Sequence, residues 1–263
     1  MRFKTAVLSG TLALLLALPA LAFAQDAEAL AKQTQNPVAS LISVPLQGNW
    51  DFGLGDDEET ATLLNIQPVM PFGVSHSTNV ILRVIMPLTS QPGPEGTRIN
   101  GLGDIVATAF FSPIKSGRII WGAGPVVLLP VATNNSLGSE KFGVGPSAVA
   151  LTQPGKWTIG GLFNHIWSTS GAADRSDVNS TFLQPFANYN LGGGLSVGAS
   201  MEASANWEAD DTWTAPLLFN VSKVALLGKR PVSFVAAAGP TLASADDAAD
   251  WRFRMGITFL FPR

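Results

Sequence analysis

The chain has 263 residues, a formal net charge of −3 and no cysteine, and only 13% of its residues are charged. The lack of cysteine excludes disulfides, iron–sulfur clusters and thiol chemistry, and the slightly negative charge does not favour nucleic acid as a partner. The length suits one large β-barrel or a β-sandwich domain.

Residues 1–24 have the three parts of a secretory signal peptide. Arg2 and Lys4 precede an apolar stretch at 6–18, and the tripeptide Ala22-Phe23-Ala24 forms the cleavage site. An uncleaved membrane anchor is the weaker alternative, because the apolar stretch is short. No later stretch reaches 18 apolar residues, so the sequence predicts an exported mature chain without a transmembrane helix.

Residues 25–38 form a short alanine-rich N-terminal segment, which we assign to the periplasm. We expect one or two helical turns after Asp26, ending at Asn36-Pro37, and so short a helix is marginal in water by itself. A plain tail is the preferred interpretation, and a plug that enters the barrel is the alternative.

From residue 39 onward the sequence repeats a pattern typical of membrane-spanning strands. In the clearest segment, 195–207, every second residue is apolar and the others are polar or glycine, over more than the about 9–11 residues that a tilted strand needs to cross a bilayer. Strands in lipid must close into a barrel, because an open edge leaves backbone groups unpaired. Twelve such segments are predicted, at 39–52, 62–72, 78–89, 103–112, 119–131, 142–152, 156–168, 178–190, 194–208, 211–223, 231–242 and 250–261.

The pattern therefore predicts an all-β fold, a transmembrane antiparallel up-and-down β-barrel of about twelve strands over residues 39–263. The predicted location is the outer membrane of a Gram-negative bacterium, where we expect outer-membrane lipids to surround the barrel. Prolines inside several segments, for example Pro45, Pro146 and Pro185, predict β-bulges, since proline cannot donate to a ladder.

The connections between strands alternate in charge. One set is acidic, as at 56–59, and contains the longest connections, whereas the other carries Lys115, Lys156 and Lys229 and no acid. Because outer-membrane barrels have long extracellular loops and short periplasmic turns, we expect the acidic set outside. Acidic loops that bind divalent cations would also contact lipopolysaccharide, although a merely solvated rim is the simpler interpretation.

The tryptophans fall near predicted strand ends and share the parity of the apolar face. This placement predicts aromatic girdles at the two membrane interfaces. The girdle residues are Trp50, Trp121, Trp157, Trp167, Trp207, Trp213 and Trp251. The last strand also alternates apolar residues up to Phe261, like the C-terminal signal that the outer-membrane assembly machinery recognises, although Pro262 and Arg263 follow that aromatic residue.

The opposite parity predicts a polar but weakly charged lumen, which suits uncharged or partly apolar solutes, or a lumen that is packed shut. The lumen and selectivity candidates are Asn65, Gln67, Arg83, Asp104, Asn164, Glu202, Asn206, Arg252 and Arg254. Arg83 and Glu202 either pair across the lumen or set selectivity. Arg252 and Arg254 either form a basic constriction or pair with Asp104 or with loop acids. The sixth and eighth strands do not sort by parity.

The sequence does not predict an enzyme. Its two histidines are His76, in a turn, and His165, on the lipid-facing parity, and no Gly-x-Ser-x-Gly motif is present. A hydrolase that uses His165 with Ser168 or Ser170 at the outer rim is the weakest of the alternatives. We predict no catalytic residue, no metal site and no cofactor.

Several motifs resemble a bacterial outer-membrane family whose members are labelled as transporters or phenol meta-pathway-like proteins, and also, misleadingly, as "neuromedin U". The similar segments are 36–47, 64–72, 111–113, 121–125, 164–168, 182–186 and 260–262. The resemblance implies a β-barrel that passes small, aromatic or hydrophobic compounds. The leading hypothesis is therefore a channel or passive transporter for small, weakly charged or hydrophobic solutes. A structural or interaction barrel with a blocked lumen and a lipid-modifying enzyme are the alternatives.

Overall fold

The computed structural model of the protein describes residues 26–210, 212–243 and 248–262. The predicted signal peptide, 1–24, lies outside these residues. Within them, no helix is both long enough and apolar enough to cross a membrane.

The described residues form twelve antiparallel strands that close into one barrel, which confirms the predicted fold class and strand number. Four strands are interrupted for one or two residues, at 67–68, 103–104, 202 and 215–216. The strands are β1 (Ile42–Leu54), β2 (Glu59–Ile66 and Val69–Gly73), β3 (Thr78–Pro92), β4 (Arg98–Leu102 and Ile105–Pro113), β5 (Ile120–Leu129), β6 (Lys141–Thr152), β7 (Trp157–Gly171), β8 (Asn179–Gly192), β9 (Leu195–Met201 and Ala203–Asn206), β10 (Trp213–Thr214 and Leu217–Leu227), β11 (Arg230–Pro240) and β12 (Trp251–Phe261). Each strand pairs with the next, and β12 pairs with β1 from Phe261 opposite Ile42 to Trp251 opposite Phe52.

Because the strands alternate in direction, the connections divide between two ends of the barrel. The long-loop end carries the acidic residues, such as Asp57, Glu95 and Asp174, and two short 3₁₀ helices, Pro94–Gly96 and Asn135–Leu137. The short-turn end carries the basic connections, such as the turn around Lys156. This division agrees with the predicted sorting of the connections by charge.

The outer surface of the barrel is an apolar belt. Leu88, Phe111, Phe219, Val221 and Phe234 are all exposed, in a pattern that a water-soluble protein avoids because contiguous apolar surface associates or aggregates. In a bilayer the same surface is the part of the barrel that lipid covers.

The tryptophans lie on this outer face. Six of the seven are exposed, and the ring of the seventh, Trp50, folds over Gly48 with 3.0 Å between the ring and the position of a Cβ there. Trp207 and Trp213 meet edge-on at the long-loop end with ring centroids 6.0 Å apart, and Trp157 contacts Tyr189 near the short-turn end. Their role as interface anchors stays a prediction.

The N-terminal segment packs into the short-turn end of the barrel. Residues 26–34 form a helix, α1, in agreement with the predicted helical turns. One face of α1, with Ala27 and Leu30, joins a buried cluster with Leu41, Val224 and Leu260. The plain-tail interpretation is therefore wrong, because the alanine-rich face covers apolar side chains of the barrel instead of water.

Polar contacts also hold this segment to the barrel. Lys32 Nζ donates to the Gly155 carbonyl at 2.8 Å, and Gln35 Nε2 donates to Asn190 Oδ1 at 3.1 Å and to Ser196 Oγ at 3.0 Å. Further along, Val38 belongs to a second buried cluster that includes Phe110, from the inner face of β4. These contacts hold the N-terminal segment at the short-turn end of the barrel.

Most of the strand prolines do not produce the bulges that the sequence predicts. Pro87 is the exception, because the register of its strand against β4 shifts by one residue between the pair Leu88–Leu102 and the pair Ile85–Val106. Pairing stays in register past Pro45, Pro146 and Pro185, and the recorded register shifts lie elsewhere, for example between Phe142 and Gly143. Near Pro146 the ladder with β7 lacks two residue pairs and then resumes in the same register. At Pro146, the missing N–H donor is therefore accommodated by a gap of two residue pairs in the ladder, without a change of register.

Glycine before proline allows a close approach of neighbouring strands. Gly124, Gly145 and Gly239 each precede a proline, and a Cβ at each would overlap a carbonyl oxygen of the adjacent strand. We expect Gly145→Ala to prevent correct barrel formation, because the methyl group would collide with the His165 carbonyl, which is backbone and cannot turn away.

The measurement is the shift in gel mobility between unheated and heated samples of the refolded protein. Gly117→Ala is the matched control, since nothing lies within 4 Å of a Cβ at that glycine. A normal heat-dependent shift for Gly145→Ala would show that the strands separate at little cost.

Candidate functional site in the barrel lumen

A cavity of about 360 Å³ lies inside the barrel and collects residues from most of its strands. We call it the mid-barrel cavity. It brings together seven of the nine lumen candidates, which are Asn65, Gln67, Arg83, Asn164, Glu202, Arg252 and Arg254. Alternation along the strands explains this convergence, because side chains of one parity point to one face of the sheet.

Glu202 is the centre of an ion-pair network in this cavity. Arg254 binds its two carboxylate oxygens with two bonds of 2.7 Å, and Arg252 Nη1 donates to it at 3.2 Å. Arg252 also holds Asp51 with bonds of 2.6 and 2.9 Å, and Arg254 Nε donates to Asn49 at 2.6 Å. The two arginines thus pair with lumen acids, and the predicted pairing with Asp104 is wrong.

Glu202 occupies a break in strand β9, but the break does not change the face on which its side chain lies. The strand stops at Met201 and resumes at Ala203, and the Glu202 amide donates to the Pro216 carbonyl of the broken partner strand. The register of β9 against β8 is the same on both sides of the break. The break therefore leaves the inward direction of the Glu202 side chain unchanged.

Arg83 does not pair with Glu202, contrary to one of the two predicted arrangements. Its Nη2 donates to Gln67 Oε1 at 2.8 Å, and no ion pair joins it to a described acid. Two arginines and Gln184, which donates to Glu202 at 3.2 Å, already occupy the glutamate oxygens. Of the two roles predicted for Arg83, pairing with Glu202 is not observed, and setting the selectivity of the lumen for solutes stays a prediction.

A smaller cavity of about 170 Å³ lies on the other side of this arginine. We call it the N-terminal cavity, because Gln33, Thr34 and Asn36 line it. Three residues line both cavities and form the layer that separates them, namely Gln67, Arg83 and Gln184. The two cavities thus lie in series along the lumen.

Asp104 and Asn206 do not line the mid-barrel cavity, so the structure separates them from the other seven candidates. Asp104 accepts bonds of 2.7 Å from the amide and the hydroxyl of Ser139 and one of 3.2 Å from the Ala132 amide. It thus ties down a loop at the long-loop end. Asn206 ends β9, accepts from the Glu208 amide, and lines a shallow pocket at the same end.

The same pocket includes Asp177, whose carboxylate accepts from Lys141 Nζ at 3.2 Å and from Ser168 Oγ at 3.0 Å. These bonds, with that from Lys141 as the larger cause, lower the pKa of the Asp177 carboxyl. The loop after β7 is thereby attached to the start of β6.

Among the residues that the sequence analysis did not identify are two that bind the ion-pair network, Asp51 and Gln184. Asp51 has the same parity as Asn49, so one further step of the alternation along β1 would have included it. Gln184-Pro185 repeats the dipeptide Gln67-Pro68, and both glutamines line both cavities. In the eighth strand, where parity did not separate inner from outer side chains, this repeated dipeptide was the signal that could have placed Gln184 in the lumen.

His165 lies on the outer face of β7 and is not arranged for hydrolysis. Its Nδ1 is 2.7 Å from Thr181 Oγ1, and its ring lies 4.0 Å from the Trp167 ring. Ser168 belongs to the opposite parity of the strand and bonds Asp177 instead. Among the described residues, no group of three or more acidic or histidine side chains could hold a metal ion.

We expect His165→Ala to leave the lipid composition of the outer membrane unchanged, because the histidine contacts no serine nucleophile. Mass spectrometry of lipid extracts from cells that produce the variant, the unchanged protein or neither would test this. A lipid species that depends on the histidine would contradict the prediction and restore the enzyme alternative.

Among the comparisons with known proteins, the comparison with solved structures supports the fold. No family model and no curated protein matches this chain. Among solved structures, an outer membrane channel from Pseudomonas putida F1 is similar at 15% identity and a TM-score of 0.64, over 84% of this chain and 94% of that one. The NanC porin is similar at 13% identity and a TM-score of 0.54, over 82% of this chain and 98% of that one. At this level of identity the likeness concerns the outer-membrane barrel fold alone.

Proposed function

We propose that the protein is an outer-membrane channel for small solutes, with a lumen that its own N-terminal segment narrows. The observation that carries the proposal is the pair of cavities in series inside the barrel, separated by Gln67, Arg83 and Gln184. A barrel with a purely structural role would be expected to fill this space with packed side chains.

The solutes that suit this lumen are small and weakly charged or partly apolar, including aromatic compounds. The mid-barrel cavity is near the lower end of the about 300–1,000 Å³ common for ligand pockets, and its wall mixes amides with apolar side chains such as Phe110 and Phe182. The resemblance to transporters of the phenol meta-pathway-like family supports the same solute class. We also propose that the chain belongs to that family.

The test is the conductance of the purified, refolded protein in planar bilayers, compared with Arg83→Ala. We expect small discrete current steps from the full chain and larger steps from the variant, because Arg83 lies in the layer between the cavities. Current steps of equal size from both proteins would show that Arg83 does not lie on the path of the ions.

A barrel with a blocked lumen is the second candidate function, and the packing of α1 into the short-turn end favours it. This candidate would be supported against the channel if no current steps were measured for the full chain, for Arg83→Ala or for a version without residues 26–39. In either case, we propose that the acidic long-loop end meets lipopolysaccharide and that the last strand is read by the assembly machinery.

A further inference from the structure

The positive charge of Arg83 is inside the barrel, and no carboxylate among the described residues contacts it, although the more distant Glu202 carboxylate attracts it electrostatically. Its one side-chain hydrogen bond there is to the neutral amide of Gln67. A guanidinium carries five N–H donors, so most of its donor capacity is unused. Because a charge away from bulk water is stabilised by an opposite charge, this arrangement favours a bound anion.

The other lumen charges do not compete for this role. The carboxylates of Asp51 and Glu202 are occupied by Arg252 and Arg254, with bonds between 2.6 and 3.2 Å. Arg252 and Arg254 are in turn neutralised by those two acids. Arg83 is therefore the one arginine of the cavity wall that no carboxylate contacts within the described part of the chain, and three arginines against two acids leave one positive charge in excess.

The wall of the cavity around Arg83 is partly apolar, although Thr108 pairs with Arg83 on the neighbouring strand. Ile85 follows two residues later on the same face of β3, and the neighbouring strand and the strands across the lumen add further apolar side chains to the same cavity. These side chains are Val106, Phe110, Leu162, Ile166 and Phe182. A molecule held at Arg83 by one end would place the rest of its body against this wall.

We propose that the mid-barrel cavity binds small monocarboxylates with an apolar or aromatic body, and that Arg83 holds the carboxylate. The inference rests on the proposed channel function, because it names the solute class of the same lumen. The planar guanidinium matches a carboxylate with two parallel bonds, and the single excess positive charge suits a monoanion. Since Arg83 lines both cavities, a carboxylate bound there would sit on the path between them.

The test compares benzoate with benzamide, a neutral molecule of nearly the same shape, by titration calorimetry with the refolded full chain in detergent micelles. We expect benzoate to bind more tightly than benzamide. In Arg83→Gln the benzoate affinity should fall about 10- to 100-fold, as for loss of a charged hydrogen-bonding partner, while benzamide binding stays unchanged. Arg83→Lys should keep part of the preference, because it retains the charge without the planar fork.

Arg175→Gln is the matched control, because it removes the same charge from the pocket at the long-loop end. Gln67→Glu serves if Arg83→Gln fails to fold. The new glutamate carboxylate would pair with the Arg83 guanidinium at the position where the Gln67 amide now binds it. This internal ion pair should abolish the preference for benzoate. Equal binding of benzoate and benzamide, or a benzoate affinity unchanged in Arg83→Gln or in Gln67→Glu, would overturn the proposal.

The experiments distinguish failure of the proposed channel function from failure of the proposed carboxylate site. Current steps in bilayers without a preference for benzoate would keep the channel and remove the carboxylate site. Benzoate binding that depends on Arg83, in a protein that never conducts, would keep the site and remove the channel.

Discussion

A version of the protein without residues 26–39 is expected to conduct severalfold more current per channel than the full chain. The deleted segment carries Ala27, Leu30 and Val38 into the buried clusters of the short-turn end and lines the N-terminal cavity. Without it, that cavity joins the solvent on the short-turn side. Single-channel recording in planar bilayers is the measurement, with heat-dependent gel mobility to show that the barrel has formed.

Two point substitutions on α1 separate displacement of the segment from damage to the barrel. Leu30 is buried against the barrel and Ala29, beside it, is exposed. Leu30→Asp places a carboxylate in an apolar cluster and removes the burial of a leucine worth about 1.5–3 kcal/mol, so it should displace the segment and raise the conductance. Ala29→Asp adds the same charge on the solvent side and should not.

If neither the deletion nor Leu30→Asp changes the conductance, the segment does not limit the current. The layer of Gln67, Arg83 and Gln184 would then be the narrowest part of the path. An equal rise in Leu30→Asp and Ala29→Asp would attribute the effect to charge alone.

Glu202→Gln is expected to lower the free energy of unfolding by about 3 kcal/mol, as for removal of one partner from a buried ion pair. The Glu202 side chain is 13% exposed and that of Arg254 is 9% exposed, so water replaces little of the lost interaction. The substitution leaves Arg254 with its bond to Asn49 but no carboxylate partner. Urea unfolding in micelles, followed by tryptophan fluorescence, is the measurement.

The same substitution should shift the ion selectivity of the channel towards anions. It leaves three arginines and one acid, Asp51, where there were three arginines and two acids. Reversal potentials in a salt gradient measure this change. Glu208→Gln removes a charge from an exposed turn and is the control for both measurements. Stability and selectivity equal to those of Glu208→Gln would mean that water screens the network in the lumen.

The period of two along the chain was enough to predict the lumen-facing side chains of most strands, but not those of the sixth and eighth strands. Asn65, Arg83 and Asn164 lie where their parity places them, because alternation depends only on the local geometry of a strand. The same local rule could not predict the partners of these side chains. Arg254 bonds Asn49, 205 residues earlier in the chain, and that meeting depends on the closure of the last strand against the first.

Proline and glycine show a second difference between local pattern and tertiary structure. Pro146 predicted a bulge from its missing donor, yet the strand keeps its register and omits two pairs. The neighbouring Gly145 lets the adjacent backbone approach closely at this point. This accommodation depends on both strands together, so the residue types of one strand could not predict it.

The barrel, its twelve strands, the inner and outer faces of most strands and the charge of its two ends could be predicted from the sequence, because each follows from short-range alternation and from loop composition. The state of the lumen could be known only from the folded barrel. The bonds from Gln35 to Asn190 and Ser196, more than 150 residues away, bring the N-terminal segment into the barrel, and the network around Glu202 leaves Arg83 without a contacting carboxylate. Both outcomes depend on contacts across a closed barrel, and no local pattern in the chain encodes them.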